Sequence, residues 1–163
     1  MLPYCVGRGI DIGCGGRKTT PDCIGVDLLA AGERGTVGVV AGVESRADVQ
    51  ASGDDLHMFR AGELDFVVAR HNLEHYLDPA RALQEWGRVL RPGGHLALVL
   101  PDETCLDTLA LDPSHKHAFT PESLRRLVRL VGGFDEVECR PAIAGWSFLY
   151  VARRAGEPGG APV

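Results

Sequence analysis

The stretch Gly9-Ile10-Asp11-Ile12-Gly13-Cys14-Gly15-Gly16 decides the fold class of this chain. Its apolar half predicts a short strand, and its glycines predict a tight turn that lets the backbone approach a ligand closely. A second apolar run, Ile24-Gly25-Val26, follows and ends in the carboxylate of Asp27. Two strands joined in this way favour a parallel α/β sheet that binds a nucleoside-bearing cofactor at the carboxyl ends of its strands.

Asp11 indicates which cofactor this is. A carboxylate beside the glycine turn repels a pyrophosphate, but it attracts the ammonium and sulfonium groups of S-adenosylmethionine. A dinucleotide fingerprint also needs a third glycine, near the place where this chain has Lys18, and an acidic residue about 20 residues farther on, which is later than Asp27. The sequence therefore predicts S-adenosylmethionine as the cofactor.

Further motifs follow in order along the chain. They are Leu64-Asp65-Phe66-Val67-Val68-Ala69, His71-Asn72-Leu73-Glu74-His75 and Arg88-Val89-Leu90-Arg91-Pro92-Gly93-Gly94-His95-Leu96. Together with the glycine turn, they resemble the class I S-adenosylmethionine-dependent methyltransferases, in particular the compact type 11-like family. The resemblance runs from about Arg8 to Arg153. It implies a methyltransferase with a Rossmann-like, mostly parallel seven-stranded α/β sheet and helices on both faces.

The chain departs from this family in its first helix. Only six residues separate Gly16 from Cys23, and one of them is Pro21. A full helix does not fit in this space, so a loop or a single turn is predicted there. Part of the favourable effect of a helix N-terminus on the cofactor is then lost.

Strand-like and helix-like runs alternate along the chain, which is the pattern of a parallel sheet with packed helices. Two helices are predicted, one after the N-cap Asp78 and one after Thr120, because proline follows each cap at the first helical position. Residues 1–154 are predicted to form one methyltransferase domain and residues 155–163 a disordered tail. The predicted strands are Gly9–Ile12, Ile24–Val26, Gly38–Val40, Leu64–Ala69, Leu96–Leu100, Glu136–Arg140 and Trp146–Val151, of which the resemblance places the last two in an antiparallel edge.

Composition bears on the partners and the compartment. A net charge of −5 argues against nucleic acid, since phosphate binding needs clustered lysine and arginine. No apolar run approaches about 18 residues, so no membrane span is predicted. Five cysteines without CxxC spacing or a signal peptide indicate reduced thiols in the cytoplasm. The predicted partner is a small-molecule, glycan or carrier-bound acceptor, and the oligomeric state stays open between a monomer and a homodimer.

The resemblance also assigns cofactor-binding residues. Asp11 and the glycine turn hold the methionine end, and Asp27 holds the ribose hydroxyls. The adenine amino group usually meets an acidic residue after the third strand, where this chain has Ser52, with Asp54 as the alternative. Leu28 lies beside the adenine. The full predicted set is Asp11, Gly13, Cys14, Gly15, Asp27, Leu28, Ser52, Gly53 and His71.

Methyl transfer depends mainly on alignment of donor and acceptor, because the positive sulfonium already activates the methyl group. A base is needed only where the acceptor loses a proton. The candidates are His71, which follows the fourth strand, and His115 and His117, in the loop after the fifth strand. Asp102 and Glu103 precede that loop and are candidates to position an acceptor. Each of these residues also has a structural interpretation, as a polar strand end or an exposed loop.

A competing interpretation comes from His71-x-x-Glu74-His75, which fits an inverted zinc-protease pattern. That pattern belongs in a helix with a further ligand downstream, whereas here it follows a strand directly and soon meets Asp78-Pro79. We therefore predict no metal, and zinc hydrolysis is the least favoured function. The other alternative is a non-catalytic S-adenosylmethionine-binding partner subunit, in which the motifs persist without an acceptor pocket.

Overall fold

The computed structural model describes residues 1–36 and 41–156. Within these ranges, the 3-10 helices Leu2–Tyr4 and Leu73–His75 accompany the longer elements. In chain order, the elements are β1 (Gly9–Ile12), β2 (Ile24–Asp27), β3 (Val49–Gln50), β4 (Leu64–Arg70), α1 (Pro79–Val89), β5 (Leu90–Pro101), α2 (Thr108–Leu111), α3 (Pro121–Val131), β6 (Phe134–Ile143) and β7 (Ser147–Arg154).

The strands form a seven-stranded sheet in the order β3-β2-β1-β4-β5-β7-β6. The strands from β3 to β5 are parallel to their neighbours. β7 runs antiparallel to both β5 and β6, which makes the predicted antiparallel edge. Residues 13–23, between β1 and β2, form turns and contain no helix. The predicted α/β class, the sheet and the shortened first connection are all confirmed.

One face of the sheet carries the main hydrophobic core. Alternate strand residues such as Val67 and Ala69 pack there against α1 and α3, whose buried side chains include Trp86 and Leu124. Trp86 is fully buried, and its indole N–H donates to the Gly53 carbonyl at 2.8 Å. This bond ties α1 to the loop after β3.

The other face has a thinner cover. Phe66 and Val68 of β4 point to it, and the side chains of Met1, Tyr4 and Cys5 pack against it. The predicted helices on both faces are therefore present in unequal form. Within the described ranges, both long helices lie on one face, and the 3-10 turn Leu2–Tyr4 packs on the other.

Both long helices begin at the predicted caps. Asp78 accepts from the Arg81 backbone N–H, and Thr120 forms a capping box with Ser123. Proline follows each cap at the first helical position. None of the helices within the described ranges is long and apolar enough to cross a membrane.

Two strand predictions need comment. Gly38–Val40 lies outside the described residues, and the described strand that pairs with β2 is Val49–Gln50. Two residues are too few to show a periodic pattern in the sequence. The prediction for the fifth strand was too short, because β5 begins at Leu90, where Leu90 pairs with Leu64 before the register shifts. Most of the predicted tail, residues 157–163, also lies outside the described residues.

Candidate cofactor and acceptor site

The carboxyl ends of β1, β2 and β4 meet at one edge of the sheet because these neighbouring strands are parallel. The glycine turn follows β1, Asp27 ends β2 and His71 follows β4. Ligands of open parallel sheets bind outside such strand ends. The fold therefore brings these predicted site residues to one edge.

The glycine turn packs directly against the end of β4. Gly13 and Gly15 have φ angles of 65° and 54°, in the left-handed region that favours glycine. The Gly13 N–H donates to the Val26 carbonyl at 2.8 Å. A Cβ atom on Gly13 would overlap the side-chain amide of Asn72. Gly13 is thus required both by its conformation and by the lack of space.

We expect Gly13→Ala to lower the free energy of unfolding by more than Gly32→Ala does. Both glycines have positive φ, 65° and 85°, so alanine adds roughly 1–2 kcal/mol of backbone strain at either position. Among the described residues, no atom lies within 4 Å of a Cβ placed on Gly32, whereas one on Gly13 would overlap Asn72. Urea unfolding of both variants measures the difference. Equal losses of unfolding free energy in the two variants would show that the overlap at Gly13 is relieved without an energetic cost.

Asp27 closes the glycine turn from the end of β2. One carboxylate oxygen accepts from the Gly15 N–H at 2.9 Å, and the other accepts from the Leu29 N–H at 3.0 Å. Each oxygen keeps a further lone pair, since a carboxylate offers about four acceptor positions. The adjacent Leu28 side chain is 70% exposed. A carboxylate with spare acceptor positions thus stands beside an exposed apolar side chain.

Asp11 is fully buried in β1 beside this turn. Its Oδ2 accepts from the Thr19 N–H at 2.6 Å and from Arg70 Nη2 at 3.1 Å. Burial raises the pKa of the Asp11 carboxyl group, although Arg70 opposes this shift. Asp11 Oδ1, Thr19 Oγ1 and Arg70 Nε are buried without a hydrogen-bond partner in the part of the chain that the structure describes. Unpartnered buried polar atoms of this kind call for a ligand or ordered water.

Arg70 is a site residue that the sequence analysis missed. It is the last residue of β4, and besides Asp11 it donates to the carbonyl oxygen of Arg17. The only signal in the sequence is a cation directly after an apolar strand and before His71. Its pairing with Asp11 depends on β1 and β4 being neighbours in the sheet.

The loop after β3 brings Ser52 and Asp54 together. The Ser52 hydroxyl donates to Asp54 Oδ1, so the two residues proposed as alternatives for one role form a single hydrogen-bonded pair. Next to them, the Tyr76 hydroxyl donates to Asn72 Oδ1 at 2.8 Å. A Cβ atom on Gly53 would overlap that Tyr76 hydroxyl. Asn72 and Tyr76, which the sequence analysis did not single out, thus connect the loop after β3 to the glycine turn.

His71 occupies an unusual backbone position at the end of β4. Its φ angle is 49°, a left-handed value that is uncommon for a residue other than glycine. Its Nδ1 lies 3.7 Å from Glu74 Oε1, and its side chain is 36% exposed. Burial lowers the pKa of its imidazole below the ordinary histidine value. Strained backbone of this kind occurs preferentially at functional sites.

Glu74 and His115 form a second part of this edge. The Glu74 side chain is 2% exposed, and burial raises the pKa of its carboxyl group to about 8. His115 Nε2 lies 3.9 Å from Glu74 Oε1, and the His75 and His115 rings meet edge to face with their centroids 4.8 Å apart. In the sequence, Glu74 and His75 enter only the least favoured zinc pattern, and His115 is a candidate base in the loop after the fifth strand.

The other loop candidates are placed differently. His117 Nε2 lies 3.3 Å from the Leu77 carbonyl oxygen, apart from the cluster around Glu74. Asp102 accepts from the backbone N–H and the hydroxyl of Thr104, which makes it part of a turn. Glu103 accepts from the N–H and the hydroxyl of Thr108. Both carboxylates therefore have structural hydrogen bonds in the loop after β5.

Cys14 is unsuited to nucleophilic chemistry. It is buried within the glycine turn, and its Sγ lies 3.7 Å from the Gly15 carbonyl oxygen. Burial raises the pKa of the thiol to about 12, so the reactive thiolate is rare at neutral pH. This environment agrees with a small residue that fills space in the turn.

Known structures share this architecture. An S-adenosylmethionine-dependent methyltransferase from Methanosarcina mazei aligns with a TM-score of 0.68 and 20% identity, covering 96% of this chain and 97% of that one. A methyltransferase of this type from Mesorhizobium loti aligns with a TM-score of 0.67 and 19% identity, covering 94% of both chains. At these identities the likeness establishes the fold.

Two curated relatives match this chain over only part of their own length. An uncharacterized 37.1 kDa protein in transposon Tn4556 of Streptomyces fradiae is 30% identical over 131 residues, which cover 76% of this chain and 36% of that protein. A ubiquinone biosynthesis O-methyltransferase of Xanthomonas oryzae pathovar oryzae is 33% identical over 99 residues, which cover 56% of this chain and 41% of that protein. The chain thus spans about two fifths or less of the curated relatives it matches.

The sequence model of the methyltransferase domain family matches residues 5–135, which is most of the chain. The family resemblance that the sequence motifs indicated is therefore confirmed. The glycine turn after β1, the acid at the end of β2 and the parallel strands β1 to β5 all lie within the matched segment. This chain belongs to the methyltransferase domain family, and S-adenosylmethionine is the cofactor that this membership assigns to it.

Proposed function

We propose that this chain transfers the methyl group of S-adenosylmethionine to an oxygen or nitrogen atom of a small molecule, a sugar or a carrier-bound biosynthetic intermediate. The observation that carries the proposal is the group of unpartnered buried atoms on Asp11, Thr19 and Arg70. These atoms lie beside a glycine turn that is anchored by Asp27.

The chemistry of the unpartnered atoms fits the methionine end of the cofactor. Asp11 Oδ1 is an acceptor for an ammonium group, and Arg70 Nε is a donor for a carboxylate. The Thr19 hydroxyl is able to serve either group. A zwitterionic amino acid would supply the hydrogen bonds that these three residues lack.

The remaining predicted residues fit the nucleoside end. Asp27 would accept from the ribose hydroxyls with its spare lone pairs, and exposed Leu28 would cover the adenine. The Ser52–Asp54 pair would accept from the adenine amino group. Gly13 and Gly15 would let the cofactor approach the backbone, and Cys14 would fill the space behind the turn.

When bound, the cofactor supplies an electrophilic methyl group on a positive sulfonium. The chain has to align an acceptor with that methyl group, and alignment alone contributes several kcal/mol to such reactions. His71, half-buried at the end of β4, would take the proton of a hydroxyl or an ammonium acceptor at its imidazole. His115 and His117 remain the other candidates for this proton transfer.

The acceptor is proposed to be small and of biosynthetic origin. The ubiquinone biosynthesis O-methyltransferase of Xanthomonas oryzae favours oxygen as the acceptor atom, at 33% identity over 99 residues. The net charge of −5 makes nucleic acid the less favoured acceptor. We further propose that residues 1–154 act as one domain in the cytoplasm, as a monomer or a homodimer.

Titration of the protein with S-adenosylhomocysteine is expected to show one site of about micromolar affinity, which corresponds to about −8 kcal/mol. The physical basis is the set of unsatisfied polar atoms and the anchored glycine turn described above. Calorimetry measures both the affinity and the number of sites. Binding of NADH in the absence of S-adenosylhomocysteine binding would contradict the proposal.

A turnover assay distinguishes an enzyme from a non-catalytic binding subunit. The protein is incubated with S-adenosylmethionine and a panel of phenols, sugars and amines, and release of S-adenosylhomocysteine is measured. Release that depends on one acceptor supports catalysis. Cofactor binding with no release on any acceptor would favour the non-catalytic partner subunit.

A further inference from the structure

We propose that Glu74, His75 and His115 form a binding site for one divalent transition-metal ion of the zinc class. This goes beyond the proposed function, because the site contains none of the residues assigned to the nucleoside or methionine ends of the cofactor. His115, one of the candidate bases, would act in it as a metal ligand instead. The test of this site also does not require a known acceptor.

The three side chains are spaced for a shared ion. Each offers one ligand atom, and these atoms lie within 4.8 Å of one another. Zinc ligands lie about 2.0–2.2 Å from the metal, so two ligands in a tetrahedral site are about 3.4 Å apart. The 3.9 Å between His115 Nε2 and Glu74 Oε1 is close to this value. The ligand atoms that are farther apart, up to 4.8 Å, would have to move closer by rotation of their side chains.

The Glu74 carboxylate itself points to a cation. It is almost fully buried, and neither of its oxygens has a hydrogen-bond partner among residues 1–36 and 41–156, although His71 Nδ1 and His115 Nε2 lie 3.7 and 3.9 Å from its Oε1. A carboxyl group that is buried without hydrogen bonds is costly to ionise unless a cation pairs with it or a metal binds it. Two neutral imidazoles and one carboxylate are a ligand set that zinc and related metals prefer.

Hydrogen bonds orient the His115 ring for metal binding. His115 Nδ1 lies 2.7 Å from the Thr108 carbonyl oxygen, which only accepts, so Nδ1 must carry the proton. The lone pair of the neutral ring is then on Nε2, the nitrogen that faces Glu74. Metal-binding histidines commonly donate their other N–H to a carbonyl or carboxylate in this way.

His75 is oriented by a similar relay. Its Nδ1 lies 3.1 Å from Ser114 Oγ, whose own proton goes to Asp112 Oδ1 at 2.6 Å. Nδ1 of His75 must therefore donate to Ser114, which leaves the lone pair on Nε2. Both imidazoles are thus held in a defined tautomer by groups outside the cluster.

The backbone fixes the two halves of the site to each other. The Glu74 carbonyl accepts from the N–H groups of Lys116 and His117 at 2.8 and 3.1 Å. Glu103 holds Thr108, which in turn positions His115. The proposed site keeps Glu74 and His75 of the His71-x-x-Glu74-His75 pattern and has His115 in place of His71. The prediction of no metal is the one that this proposal revises.

The experiment uses the full chain, freed of metal with a chelator and titrated with Zn²⁺ alone and with Co²⁺ alone. One ion per chain is expected. Cobalt bound by nitrogen and oxygen shows visible bands without the strong near-ultraviolet absorption of cobalt–thiolate bonds, which separates this site from the five cysteines of the chain.

Glu74→Gln and His115→Ala should each weaken Zn²⁺ binding at least about tenfold, since even the loss of an outer hydrogen bond to a ligand costs 10–100-fold. Ser114→Ala tests the outer relay in the same way. His57→Ala is the matched control, because His57 is exposed and pairs with Asp55 instead. Circular dichroism confirms that each variant is folded.

Three results would overturn the site: no stoichiometric binding by the unmodified chain, a cobalt–thiolate spectrum, or Zn²⁺ affinity that is unchanged in the folded Glu74→Gln and His115→Ala variants. If either of these two variants fails to fold, the cobalt spectrum of the unmodified chain and the Ser114→Ala affinity still decide the question.

Discussion

Replacing His71 with asparagine is expected to lower turnover by a factor of about 10²–10⁴ on an acceptor that must lose a proton, which is the usual loss when a positioned base is removed. His71 is the candidate base that lies directly at the end of β4, with its side chain 36% exposed and therefore open to an acceptor. Asparagine suits this substitution because it tolerates the left-handed φ of 49° better than alanine does.

Variants of the other histidines provide the comparison for the His71 result. His117→Ala should lose less activity than the His71 variant, because the His117 ring is directed to the Leu77 carbonyl. His57→Ala serves as the control, because His57 is exposed and pairs with Asp55. S-adenosylhomocysteine affinity is measured alongside turnover, so that a loss of cofactor is not mistaken for a loss of base. If the His71, His115 and His117 variants all keep nearly full turnover, the enzyme works by alignment alone.

Replacing Asp27 with alanine should weaken S-adenosylhomocysteine binding at least tenfold. The substitution removes a carboxylate that would accept from the two ribose hydroxyls, and hydrogen bonds to charged groups contribute about 1.5–3 kcal/mol each. It also removes the acceptor for the Gly15 and Leu29 N–H groups, so the glycine turn loses its anchor. Both effects weaken cofactor binding.

Calorimetry on two comparison variants separates these contributions. Asp27→Asn keeps one acceptor oxygen and should fall between the alanine variant and the unmodified chain. Asp22→Ala removes the same charge from an exposed position before β2 and should bind normally. Unchanged affinity in a folded Asp27→Ala protein would refute the ribose assignment.

The fold was predictable from local patterns that are visible in a single sequence. The glycine turn after β1, the acid after β2 and the proline-marked caps at Asp78 and Thr120 depend on the conformational preferences of a few adjacent residues. Such preferences do not need the rest of the molecule. The short connection between Gly16 and Cys23 likewise excluded a full first helix by length alone. The two-residue strand β3 escaped prediction because it is too short to carry a period.

The sequence predicted only those site residues whose role depends on their position along the chain. The predicted cofactor residues lie near or just after the carboxyl ends of strands, so the rule for such ends placed them at one edge without knowledge of their contacts. Arg70 was missed because its pairing with Asp11 joins residues 59 positions apart. Its partner is set by which strands are neighbours in the sheet, and one sequence does not contain that information.

The sequence by itself determined the family, the parallel sheet and the class of cofactor, since each rests on motifs of adjacent residues. Only the tertiary structure decided which histidines act together. His115 and His117 are two residues apart in one loop, yet the first turns inward to Glu74 and the second outward to the Leu77 carbonyl. The physical reason is the pair of backbone hydrogen bonds to the Glu74 carbonyl, which fix how this loop lies against the end of β4.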